Sequence, residues 1–217
     1  MSLQAFVARQ LALPSGPFGR WVMAPLLNRG NRAMNGLTLR QLAPAPADRV
    51  LEVGFGGGAL LGDVLAGPCA FAAGVDVSPD MVARARRRFR TEIAVGRAEI
   101  RPGSIDAIPY PAAAFSAVCS VNTLYFWPDV GRALAECRRV LAPGGRLVLT
   151  FTDRAALEAW PGHRHGFALY ELADVELHLR GAGFEAPDVA EGTNPGEGRF
   201  FCVRARAPLA DASAGPA

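Results

Sequence analysis

Four short stretches of the chain are almost continuously apolar, and between them the apolar positions recur at helical spacing. Val50-Leu51-Glu52-Val53, Phe71 to Val77, Phe115 to Ser120 and Arg146 to Phe151 have the length and composition of buried strands. Ala59 to Ala66 reads as a helix, and so does Ser78 to about Ile93. The latter opens Ser78-Pro79-Asp80: a capping hydroxyl, a first-turn proline and an acid that complements the helix dipole. Val130, Leu134, Cys137 and Leu141 share one face of a helix over Pro128 to Leu141. A further helix covers Leu169 to Ala182, closed by Gly181 and Gly183. A short strand at Ala98 to Arg101 precedes the third of the long ones. Two last strands, Asp188 to Glu191 and Phe200 to Arg206, flank a turn at Asn194-Pro195-Gly196. Strands alternating with helices predict an α/β, doubly wound sheet. Ahead of it, Gln4 to Leu11, Trp21 to Leu27 and Asn31 to Leu42 read as helices, broken at Pro14-Ser15-Gly16-Pro17. The chain therefore divides into a helical N-terminal arm at 1–45, an α/β domain at 46–207 and a flexible tail at 208–217.

The first long strand runs into Gly54-Phe55-Gly56-Gly57-Gly58 and then a helix. Glycine is needed where the backbone turns at positive φ or where a ligand approaches main chain with no Cβ in the way. Strand, glycine turn and helix N-terminus together make a ligand crevice lined by backbone N–H groups. The second strand ends at Asp76, 22 residues after Gly54, where a doubly wound sheet presents a carboxylate to a ribose. The spacing alone fits both S-adenosylmethionine and a dinucleotide. The arginines that follow (Arg84, Arg86, Arg87, Arg88, Arg90) read as a solvated helix face.

Composition changes the picture in three places. With 217 residues, half of them apolar and a net charge of +3, the chain is an ordinary globular one with no call for nucleic acid. All 23 basic residues are arginine, so Schiff-base chemistry and the Tyr-x-x-x-Lys pair of short-chain dehydrogenases are excluded. Cys69, Cys119, Cys137 and Cys202 have no metal-ligand spacing and read as buried, reduced thiols, which points to the cytoplasm. No metal is expected, no run is long enough to span a membrane, and no signal peptide is read.

Five ordered pieces carry a resemblance. They are Leu51 to Gly58, Gly74-Val75-Asp76-Val77-Ser78, Gly103 to Tyr110, Phe115-Ser116-Ala117-Val118, and Glu136 to Gly145. Together they resemble the class I S-adenosylmethionine-dependent methyltransferases, and within them the small-molecule branch of ubiquinone and menaquinone biosynthesis (the type 11 domain). The resemblance implies a Rossmann-like sheet of seven strands whose antiparallel last strand lies beside the fifth. It implies S-adenosylmethionine as cofactor and S-adenosylhomocysteine as product. Gly54, Gly56 and Gly58 would pack on the methionine part, Asp76 would bind the ribose hydroxyls, and Ser104-Ile105 would flank the adenine. Glu52, Val77 and Asn122 complete the expected cofactor set. Two positions depart from the family pattern: Ser104 and Ser116 stand where many members carry aspartate.

For the acceptor, Tyr125, Phe126 and Trp127 are expected to form an apolar mouth, with Trp21 and Met23 facing inward from an arm that closes over the cofactor. His163 and His165, in the connection after the fifth strand, are candidates for a general base, with Tyr125 as a further catalytic candidate. The expected reaction is O-, N- or C-methylation of a phenolic, quinone-like or amine metabolite, by a monomer or a homodimer. Two alternatives stand: a non-catalytic cofactor-binding protein of the same fold, and a nicotinamide oxidoreductase. The latter is disfavoured by the missing lysine and by the Pro143-Gly144-Gly145 turn.

Overall fold

The computed structural model describes residues 2–194 and 198–209. The expected turn at 194–196 thus falls mostly outside the described residues, as does the tail from residue 210 on. Seven strands form one sheet in the order β3-β2-β1-β4-β5-β7-β6. They are β1 (Arg49–Val53), β2 (Phe71–Asp76), β3 (Ala98–Pro102), β4 (Phe115–Val121), β5 (Leu141–Thr152), β6 (Asp188–Asn194) and β7 (Gly198–Arg206). β1 to β5 pair in parallel, and β7 runs antiparallel between β5 and β6. This is the seven-stranded arrangement that the resemblance implies.

Helices α1 (Leu3–Ala12), α2 (Gly16–Phe18), α3 (Ala24–Gly30) and α4 (Arg32–Leu42) form the arm, with a π-helical turn, Gly19–Met23, between α2 and α3. Then come α5 (Ala59–Ala66), α6 (Pro79–Arg88), α7 (Arg90–Ala94), α8 (Val130–Val140), α9 (Arg154–Glu158) and α10 (Leu172–Gly181). The helix expected to run to Ile93 breaks at Phe89, whose buried ring packs against Gly58 and Gly62 of the neighbouring helix. β5 begins at Leu141 rather than Arg146. The pairing with β4 skips from Leu141 to Arg146, so the Pro143-Gly144-Gly145 turn bulges out of a strand already under way.

Each face of the sheet carries its own apolar core. Leu51 and Val53 join Leu134, Val140 and Leu179 on one face; Val50 joins Met34, Leu37, Leu61 and Met81 on the other. Because strand side chains alternate, Glu52 is forced to the same face as Val50, beneath α4 and α5. α4 is thus part of the core. Its Thr38 hydroxyl meets that of Thr150 at 2.6 Å, and Met34 and Leu42 are fully buried. The four cysteines are buried and free. Among the described residues no helix is long and apolar enough to cross a membrane.

Candidate functional site

β1 and β2 are parallel neighbours, with Val53 opposite Val75, so the glycine turn and Asp76 emerge side by side at one edge of the sheet. Gly54, Gly56 and Gly58 have φ of 73°, 47° and 70°. A Cβ on Gly54 would stand 2.5 Å from Thr123 Cγ2, so no larger residue fits without displacing the turn after β4. Asp76 is buried, and its two oxygens accept from the main-chain N–H groups of Gly56 and Ser78, both at 2.8 Å. Burial pushes its carboxyl above the ordinary range, and those two N–H groups hold it back. Each oxygen retains a lone pair for a further donor.

Glu52 lies beneath the turn with one oxygen, Oε2, buried and without a hydrogen-bond partner. Burial first, and then the Asp76 carboxylate, pushes its pKa up to about 8. An acid held this way accepts a cation readily, since a positive group there would relieve both causes at once.

The arm covers this cradle. Ser78 Oγ donates to the Pro14 carbonyl at 2.5 Å, and Gly16 N–H donates to Asp80 Oδ2 at 2.7 Å. A Cβ on Gly57 would meet Asn28 Oδ1 at 2.1 Å and the Ala24 carbonyl at 2.7 Å, so α3 rests directly on the turn. From below, Arg88 Nη1 donates to the carbonyls of Gly57 and Gly58 at 3.2 and 2.9 Å. Arg86 likewise donates to the Ile100 carbonyl. These two arginines are therefore structural, and the expectation of a solvated basic face fails for them. Between arm and cradle lies a cavity of about 220 Å³, lined among others by Glu52, Gly54, Gly56, Asp76, Val77 and Ile105.

Beyond β4 the chain turns at Asn122, whose φ is 58°. Its side chain ties three segments together. Nδ2 donates to Asn31 Oδ1 at 2.8 Å; Oδ1 accepts from the Tyr125 hydroxyl at 2.8 Å and from Thr152 Oγ1 at 3.1 Å. The Tyr125 hydroxyl also accepts from the Thr152 main-chain N–H. A second, larger cavity of about 1640 Å³ opens on the far side of this network. It is lined by the arm, by the segment from Tyr125 to Phe126, by α9 and by β6. Leu11, Leu27, Asn31, Asn122 and Phe126 line both cavities, so these five side chains form the wall between them.

Most of the residues expected at the site meet there, and the remainder do not. Glu52, Gly54, Gly56, Asp76, Val77, Ser104, Ile105 and Asn122 line the smaller cavity. Gly58 instead caps α5 in left-handed geometry behind it. Met23, Tyr125 and Phe126 line the larger cavity. Trp127 lines the smaller one, its Nε1–H donating to Thr123 Oγ1 at 3.1 Å. Trp21 is 71% exposed and lines neither. Two residues apart on the π-helical turn, Trp21 and Met23 point to nearly opposite sides, so burial of Met23 turns Trp21 outward. His163 and His165 also line neither cavity. They lie on and just after a 3₁₀ turn, Pro161–Arg164; His163 Nδ1 is 2.7 Å from the Trp160 carbonyl, and His165 is exposed. The extended loop that would have aimed both rings inward is not extended.

Both departures from the family pattern use one device. Ser104 Oγ donates to Asp106 Oδ1, and Ser116 Oγ donates to Asp48 Oδ1 at 2.6 Å. A carboxylate displaced along the chain is thereby brought back to each serine. Sequence reasoning missed Leu27, Asn28, Asn31 and Thr152, which are lone residues in or beside helices and strands and belong to no motif.

The sequence model of a methyltransferase-domain family matches residues 51–149. An uncharacterised methyltransferase of Bacillus subtilis is 32% identical over 73% of this chain and 83% of its own length. A ubiquinone biosynthesis O-methyltransferase of Xanthomonas axonopodis is 30% identical over 79% of this chain and 78% of its own. The chain spans only about half the length of several other relatives it matches. Among solved structures, the complex of the Haloferax volcanii Trm112 methyltransferase activator with a putative methyltransferase includes a chain of the same fold. Its TM-score is 0.76 at 17% identity, covering 96% of this chain and 99% of that one. With the glycine cradle, the acid after β2 and the antiparallel seventh strand all in place, the chain belongs to the class I S-adenosylmethionine-dependent methyltransferases.

Proposed function

We propose that this protein binds S-adenosylmethionine in the smaller cavity and methylates a small-molecule acceptor held in the larger one. The observation that carries this reading is the shared wall of five side chains: a transferable group and its acceptor can meet there and nowhere else along the two cavities. The residues of the smaller cavity fit the cofactor. The unpartnered Glu52 Oε2 suits its ammonium, the free lone pairs of Asp76 suit its ribose hydroxyls, and Val77, Ser104 and Ile105 suit its adenine. The cofactor brings a methyl already activated on a sulfonium.

What the chain supplies is position and dryness. Holding two reactants in line contributes up to ~7–11 kcal/mol. The Phe126 ring at the wall is an apolar surface against which a cation is attracted through the ring face. The titratable groups lining the larger cavity are Arg29, Arg32, Arg40, Glu191 and Tyr125. Of these, Tyr125 is tied to the wall through Asn122, to which its hydroxyl donates while accepting from the Thr152 main-chain N–H. The arrangement favours an acceptor that needs no strong protein base: a neutral amine, a thiol or an acidic phenol. The similarity to the Xanthomonas ubiquinone biosynthesis O-methyltransferase supports a small-molecule acceptor.

Calorimetric titration tests the cofactor. S-adenosylhomocysteine should bind in the micromolar range and NAD should be silent; the reverse pattern would sink the proposal. Removing residues 1–30 should abolish turnover, because Leu11, Leu27 and Asn28 line the smaller cavity. A truncated enzyme of undiminished turnover would show that the arm is no part of the site.

A further inference from the structure

The larger cavity is not uniformly apolar. Val7, Leu11, Met23, Leu157, Trp160 and Phe167 give it apolar lining, while Arg29, Arg32 and Arg40 bring three guanidinium groups. Among the described residues the one acid on the cavity wall is Glu191, 3.8 Å from Arg199, which is itself held by Asp153 at 2.9 Å. Among the described residues none of the three cavity arginines has an ion-pair or hydrogen-bond partner. Among the described residues, three guanidinium groups thus share the cavity lining with one carboxylate that already has a cation beside it.

Helix stability accounts for only part of this. Arg29 and Arg40 sit in the last turns of α3 and α4, where a cation complements the dipole. Arg32 opens the first turn of α4, where a cation opposes it, and that turn contains no acid. Arg32, Gly36 and Arg40 follow one another at four-residue spacing and so share one face of α4. Arg40 leans back along that face, as helical side chains do, until its Nη1 lies 3.6 Å from where a Cβ on Gly36 would stand. Arg40 is therefore turned toward a bare strip of helix that has Arg32 at its other end, and among the described residues no acid pairs with either guanidinium. α4 cannot relax away from this arrangement, because its opposite face is core: Met34 and Leu42 are fully buried and Thr38 is tied to Thr150.

Resting on the reading of the larger cavity as the acceptor site, we infer that the acceptor is an amphipathic anion. Its apolar body would lie against Leu157, Trp160 and Phe167, and its carboxylate or phosphate would lie by Gly36, on the face of α4 that carries Arg32 and Arg40. Guanidinium groups are suited to either anion, because each can donate two parallel hydrogen bonds to a pair of oxygens. The size agrees: about 1640 Å³ exceeds the roughly 300–1,000 Å³ of an ordinary small-molecule pocket, room for a long or multi-ring body as well as a head group. The rigid α4 then sets the distance from the anion to the wall at Asn31 and Asn122, and so selects which atom of the acceptor is presented for methylation.

The experiment is a calorimetric series with four probes of one chain length, decanoate, decyl phosphate, decanol and decylammonium. It is run below their aggregation limits, with and without saturating S-adenosylhomocysteine, on the wild type and on Arg32→Gln/Arg40→Gln. Both arginines are exposed, so the double variant should keep its melting temperature, which is measured alongside. At least one of the two anions should bind about tenfold or more tightly than decanol, and decylammonium more weakly than decanol. The anion preference should shrink with added salt and vanish in the double variant. Whichever anion is favoured identifies the head group. Equal binding of decanol and both anions, or a preference that survives in the double variant, would overturn the inference. Silence toward S-adenosylhomocysteine would instead overturn the reading of the smaller cavity. The probe series without it still decides the anion question on its own terms.

Discussion

The two cavities share a wall yet are made of different material. The floor of the smaller is built from elements consecutive in sequence, the turn after β1, the end of β2 and the loop after β3, and the arm and the segment after β4 close it. Its dimensions are fixed by glycines at positive φ, by Arg88 on two carbonyls and by Asp76 on two N–H groups. The larger is built from side chains of α1, α3, α4, α9, β6 and the segment after β4, which are distant in sequence. A ligand common to many enzymes can be held by a backbone that every member repeats, whereas an individual acceptor needs side chains that can be exchanged one at a time. Substitutions in the smaller cavity should therefore be costly and general in effect, and those in the larger one mild and selective.

The sharpest test is Glu52→Gln. Glu52 has a folded pKa of about 8 against an ordinary 4.5, so folding favours its protonated form. That contribution is fully present below pH 4.5 and is lost as pH rises through 8. The variant should therefore match the wild type in stability at pH 4.5. It should exceed the wild type in alkali, by on the order of 5 kcal/mol at most, in denaturant titrations at several pH values. The same variant should bind S-adenosylhomocysteine tenfold or more weakly, since a hydrogen bond to a charged group contributes about 1.5–3 kcal/mol. Wild-type binding at pH 7 should release protons, seen as a dependence of the calorimetric heat on buffer ionisation enthalpy. A variant equally stable at every pH would mean that Glu52 is not the buried, unpaired acid on which the contrast depends.

Gly54→Ala comes next. A left-handed conformation forced on alanine, together with the contact to Thr123 Cγ2, should lower stability by about 3 kcal/mol, and cofactor affinity should fall with it. Asp76→Asn should leave the fold intact and weaken cofactor binding tenfold to several hundredfold, at about 1.5–3 kcal/mol for each hydrogen bond lost. Unchanged affinity would place the ribose elsewhere. Ser78→Ala removes both the cap on Met81 N–H and the tie to Pro14, and should cost about 1 kcal/mol in thermal unfolding. Because that tie fixes the arm, KM for the cofactor should rise more than kcat falls. The smallest effect is expected for His163→Gln and His165→Gln, which lie outside both cavities. Turnover and its pH profile should remain within twofold of the wild type, and a larger loss would restore them as candidates for the base.

Much of the smaller cavity was legible in the chain because each of its parts is a local requirement. Positive φ demands glycine at 54, 56 and 58. A capping hydroxyl and a proline mark the start of α6 at Ser78-Pro79. The strand length between the turn and Asp76 sets their spacing whatever the rest of the molecule does. The seven-stranded sheet and the antiparallel β7 beside β5 followed from the resemblance, which rests on the same local pieces. The larger cavity was legible only in outline. Asn31 and Asn122 are 91 residues apart, and their meeting depends on how α4 lies across the sheet, which no periodicity records. Trp21 was misplaced because proximity in sequence does not mean a shared face on a helix, and the histidines because a 3₁₀ turn replaced an extended loop. Arg88 looked like surface until its carbonyl partners, 30 and 31 residues earlier, were brought beneath it. The sequence alone determined where the backbone must bend and where an acid must stand, since those are costs paid within a few residues. Only the tertiary structure decided which side chains face each other across the two cavities, since that follows from packing between elements whose separation in the chain carries no local cost.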